Sequence, residues 1–69
     1  MKVRVYDEAR LRELTAFLEA RGCTVVQVDD ATLDVTPEVA WPEAAELELD
    51  LYLRLWEASE GVVAERVAD

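Results

Sequence analysis

The apolar residues of this 69-residue chain switch spacing along its length, in the order two, helical, two, two, helical, two. Few folds accept that order. Lys2 to Tyr6 alternates, with Val3 and Val5 on one side and Lys2, Arg4 and Tyr6 on the other, the pattern of a half-buried strand. Asp7 is a good N-cap and Glu8 a favourable first-turn acid for a helix over 8–21. Leu11, Leu14 and Leu18 mark its apolar stripe, Phe17 lies at the edge, and Arg21-Gly22 supplies the stop.

Cys23 to Val28 reads as a second strand and Thr32 to Thr36 as a third, with Leu33 and Val35 inward. The short Asp29-Asp30-Ala31 link makes them a hairpin, and Pro37 ends it. Pro42 suits the first turn of a second helix, and it pushes Trp41 out of helical geometry. Glu43, Glu46 and Glu48 favour the positive end of that helix, which runs to about Ser59 and is closed by Gly61. Val62 to Val67 reads as a fourth strand, with a helical continuation as the competing reading. The sum is a single α+β domain over 1–69: a ferredoxin-like βαββαβ two-layer sandwich, with a four-stranded antiparallel sheet and two helices on one face.

A chain this short buries only roughly 60% of its unfolded surface, which leaves a thin stability margin. With 52% hydrophobic residues it is nevertheless too apolar to be disordered. The formal charge of −9, from 16 acidic and 7 basic residues, opposes direct binding to nucleic acid or to an anionic membrane surface. It suits basic protein partners. Cys23 is the sole cysteine, so no internal disulfide is possible, and its type and place suit a small buried hydrophobe. No apolar run reaches the length of a membrane span, and Met1-Lys2-Val3 opens directly into a strand pattern without a signal peptide; a reducing cytoplasmic location is expected.

Catalytic chemistry is poorly supplied. The sequence contains no histidine, so triads built on Ser-His or Cys-His are excluded, and Ser59 is the lone serine. Asp29-Asp30 and Glu46-Glu48-Asp50 are acids of a turn and of a helix surface, where solvation is the ordinary state. No phosphate-cradling glycine loop, EF-hand loop or zinc ligand set occurs. The expectation is a protein that is not an enzyme and takes no cofactor or metal.

The second helix is the informative element. On a wheel, Glu43, Glu46, Asp50, Arg54 and Glu57 fill an arc of about 80°, which leaves an apolar arc of about 240°, interrupted only by Glu48 and Ser59. Burial on one side asks for little more than about 100°. The arc divides into a face of Leu47, Leu51, Leu55 and Ala58 and a face of Ala45, Leu49, Tyr52, Leu53 and Trp56. One covers the sheet. The aromatic face needs the first helix, the loop around Trp41 or another molecule to cover it. Contact with another molecule is the favoured expectation, because aromatic residues anchor interfaces, and burial by the neighbouring helix and Trp41 is the competing one. The candidate interface is therefore Trp41, Leu49, Tyr52, Leu53 and Trp56. The open face of the sheet is a second candidate, carrying Arg4, Tyr6, Thr32, Asp34 and Thr36, with Arg4 and Asp34 expected to pair across neighbouring strands. RNA-binding use of that face is rejected, since Tyr6 is its one aromatic residue and the charge is wrong.

The order of elements is similar to that of ferredoxin-like modules at large, including the amino-acid-sensing ACT domains. That resemblance implies an effector site near a glycine-containing loop after the first strand, where this chain has Tyr6-Asp7-Glu8, acidic and without glycine. The leading functional reading is a non-catalytic protein-interaction module, a homo-oligomer or a docking partner of another protein. An ACT-like ligand sensor comes second. An acidic mimic of nucleic acid that inhibits a basic protein is more remote.

Overall fold

A computed structural model describes residues 1–67. The elements are β1 (Lys2–Arg4), α1 (Glu8–Glu19), β2 (Thr24–Gln27), β3 (Thr32–Thr36), α2 (Ala45–Glu60) and β4 (Glu65–Val67), with a single 3₁₀ turn at Pro42–Ala44 leading into α2. The four strands form one sheet in the order β2-β3-β1-β4, and every neighbouring pair is antiparallel. With two helices, this is a small α+β domain.

Local chemistry explains the element ends. The Asp7 carboxylate caps α1, accepting from the Ala9 N–H at 3.0 Å and the Arg10 N–H at 3.4 Å. Gly22, at φ 88°, turns the chain out of α1, and the Arg21 guanidinium lies 3.6 Å over the Phe17 ring while donating to the Phe17 carbonyl. Asp29 Oδ1 accepts from the Ala31 N–H at 2.9 Å, which closes the β2–β3 turn. Trp41 is extended before Pro42, as the proline requires. Gly61 caps α2 in the left-handed region, φ 67°, and returns its N–H to the Glu57 carbonyl at 2.8 Å. That cap stops the helical continuation, and the chain runs back as β4, with only Glu65–Val67 of the expected 62–67 paired as strand.

The core forms between the helices and one face of the sheet. Leu11, Leu14 and Leu18 of α1 meet Val3, Leu33 and Val35 from the strands, Val5 just after β1, and Leu49, Leu53 and Trp56 from α2. Cys23 is buried in the same cluster, where desolvation pushes its thiol up from its ordinary value. Register fixes the opposite sheet face. Its rungs run Val28–Thr32–Arg4–Glu65 and Val26–Asp34–Lys2–Val67. Asp34 therefore stands opposite Lys2, and Arg4 opposite Thr32. The expected Arg4–Asp34 pair is two residues out of register: the Val35 N–H donates to the Met1 carbonyl and the Val5 N–H to the Ala31 carbonyl, which sets Lys2 and not Arg4 opposite Asp34.

Candidate functional site

Two opposite sides of α2 are apolar, and the structure assigns them to different surroundings. Leu49, Leu53 and Trp56 recur at spacings of four and three and point at the sheet; Trp56 is only 2% exposed. Leu47, Leu51 and Leu55 recur every four residues on the far side and remain 74%, 52% and 51% exposed. Ala58 and Arg54 extend that outer face. This corrects the sequence reading, which placed the aromatic face outward. Trp56, Leu49 and Leu53 are core residues, because α2 needs its bulkiest side chain to fill the space between the sheet and α1. Tyr52 is half-buried on the flank, where the Glu48 carboxylate, by hydrogen bonding, holds its phenol above the ordinary value. Trp41 alone of the five candidates is largely exposed, at 69%.

The flanks of the outer face are charged. On one, Asp50 accepts from Arg66 of β4 at 2.5 Å and Glu46 lies 3.8 Å from the same guanidinium. Arg66 stands opposite Val3 in register, so its side chain leaves the helix-covered face and reaches up to α2. On the other flank is the Glu48–Tyr52 pair. A shallow depression lined by Leu47, Asp50, Leu51 and Arg54 runs along the surface. Across all of α2 there are five carboxylates and one guanidinium, that of Arg54, which makes no ion pair among the described residues. The surface is an apolar ridge in an acidic setting.

The open sheet face is built differently. Arg4 covers Thr32, which is buried, and its Nε lies 3.4 Å from the Thr32 hydroxyl. The Tyr6 hydroxyl is the main influence raising the Arg4 guanidinium above its ordinary value. Lys2 and Arg4 form a central basic line between Asp34 on β3 and Glu65 on β4, with Val26 and Val28 exposed at the β2 margin. Opposite charges thus meet across the ladder, and the face is largely self-neutralising.

Among the described residues no helix is long and apolar enough to cross a membrane, and no group of three or more Cys, Asp or Glu is placed to hold a metal ion. No protein-family model, no curated protein and no solved structure matches the chain.

Proposed function

We propose that the chain is a non-catalytic protein-interaction module that receives a basic amphipathic helix of another protein on the outer face of α2. The exposed stripe of Leu47, Leu51 and Leu55 is the observation that carries this reading. Rows of side chains four apart form the ridges that interdigitate when two helices pack, so the spacing suits a helical partner. The charge selects its chemistry. The carboxylates of α2 repel a second α2 and attract a helix whose apolar stripe is bordered by Lys or Arg. The order β2-β3-β1-β4 supports the ferredoxin-like reading of the scaffold: read from β4 it places β1 beside β3 in the middle, as the split βαβ arrangement demands. The lone thiol Cys23 suits a reducing, cytoplasmic setting.

The test uses a fluorescent helical peptide made of Leu and Lys, titrated by anisotropy, beside a Leu/Glu peptide of the same length. Saturable binding of the basic peptide, weakened by salt and lost in Leu51→Glu, is the expected result. Equal binding by the Leu51→Glu chain, or equal binding of the acidic peptide, overturns the proposal.

A further inference from the structure

The two edges of the sheet are guarded unequally. β4 carries Glu65 and Arg66, the charges that ordinarily keep an edge from pairing. β2 carries none: from Cys23 to Val28 the sequence is Cys-Thr-Val-Val-Gln-Val, six residues without charge, Pro or Gly in a chain that is 33% charged. Its main-chain directions follow from the hydrogen bonds on either side of β3. The Val28 N–H donates to the Thr32 carbonyl at 2.9 Å, while the Val35 N–H donates to Met1 and the Val5 N–H to the Ala31 carbonyl. Even-numbered residues of β2 therefore face β3, and the N–H and C=O of Val25 and Gln27 point away from the sheet. Among the described residues no turn or loop bond takes up those four groups.

We propose that β2 pairs antiparallel with β2 of a second copy of this chain, about a two-fold axis through Val26. In that register Val25 lies opposite Gln27 of the second copy, and Gln27 opposite its Val25. The four outward groups of each copy then meet four of the other. Val26 meets its own equivalent at a non-hydrogen-bonded position, where side chains approach most closely. Val26 is 58% exposed, so the contact covers apolar surface that the monomer leaves in water. The occupant is a second copy because the strand is neutral and self-complementary, whereas a basic peptide finds no carboxylate between Cys23 and Val28 to hold it. The product is a continuous eight-stranded sheet. α2 is tied to the opposite edge through Arg66, so both leucine ridges stay free, and the module becomes bivalent.

Sedimentation equilibrium of the full chain, from low to high micromolar, tests this directly. A dimer is expected, and Val26→Lys, which sets two ammonium groups against each other on the axis, is expected to weaken it by at least about tenfold. The folded monomer tolerates that change, because position 26 is exposed and stands opposite Asp34; circular dichroism checks this. A chemically synthesised chain with Gln27 N-methylated gives an independent disruption that leaves every side chain in place. Val26→Cys is expected to form an intermolecular disulfide, since about 4.5 Å separates the Cα atoms at such a position. A strict monomer at high micromolar concentration overturns the proposal. So does a dimer lost in Leu51→Glu but kept in Val26→Lys, which moves self-association to α2. Peptide capture by the α2 face is read separately and survives Val26→Lys, so the failure of one reading is distinguishable from the failure of the other.

Discussion

Arg66, on the edge strand β4, donates to the Asp50 carboxylate of α2 at 2.5 Å and so ties the last strand to the helix above it. The Arg66 Nε is buried without a partner, so one face of the guanidinium is dehydrated with nothing in return. Both side chains remain about a third to a half exposed, and solvent screens the pair. Asp50→Ala or Arg66→Ala is expected to cost about 1 kcal/mol in urea unfolding, and a double-mutant cycle to give a coupling of about 0.5–1 kcal/mol. The Arg66→Ala loss should shrink at high salt.

The two sides of α2 should answer differently to truncation. Trp56→Ala empties a core site and is expected to cost about 3–5 kcal/mol, whereas Leu51→Ala should stay within about 0.5 kcal/mol. Trp56→Phe should cost less than Trp56→Ala, since the benzyl ring keeps much of the filled volume, while the indole N–H, buried without a partner, is lost in either variant. In single-tryptophan chains, Trp56 fluorescence should be blue-shifted and shielded from iodide, and Trp41 red-shifted and readily quenched. Similar quenching of the two would contradict the assignment of faces.

Acid should weaken the β2–β3 turn. The Ala31 N–H, and after it the Thr32 hydroxyl, hold the Asp29 carboxyl below its ordinary value. The folded group titrates below the unfolded one, so its contribution is complete above the ordinary carboxylate pKa and is lost as pH falls through the folded value. Asp29→Ala should therefore lower the urea midpoint at neutral pH, with the deficit closing in acid. Asp29→Asn keeps the acceptor and should retain most of the turn.

Gly61 holds φ 67°, and a Cβ placed there would meet nothing within 4 Å. The cost of Gly61→Ala is then conformational alone, about 1 kcal/mol. Asn, which tolerates the left-handed region, should recover part of it in the same thermal or urea measurement.

The elements were legible because each has local punctuation: Asp7 opens α1, Gly22 and Gly61 close the helices, and Val3, Val5, Leu33 and Val35 sit in the core as their alternation requires. The orientation of α2 was not. Its polar arc borders an apolar face on either side, so the wheel is nearly symmetrical, and a preference for aromatic residues at interfaces tipped it the wrong way. A cue was present in the spacing. Leu49, Leu53 and Trp56 combine fours and threes, as buried Leu11, Leu14 and Leu18 do, and so hold a narrower stripe than Leu47, Leu51 and Leu55. The Arg4–Asp34 mismatch has a different origin: β1 and β3 pair across a long stretch of chain, so no local turn fixes their register, and alternation alone is blind to a shift of two.

Because the side chains of α2 that hold the domain together and those that face outward occupy opposite sides of one cylinder, a change on one side leaves the other nearly untouched. Leu47, Leu51 and Leu55 can be exchanged for other residues while Leu49, Leu53 and Trp56 keep the domain intact. Such a scaffold lets selection retune what it recognises without first having to rescue its folding.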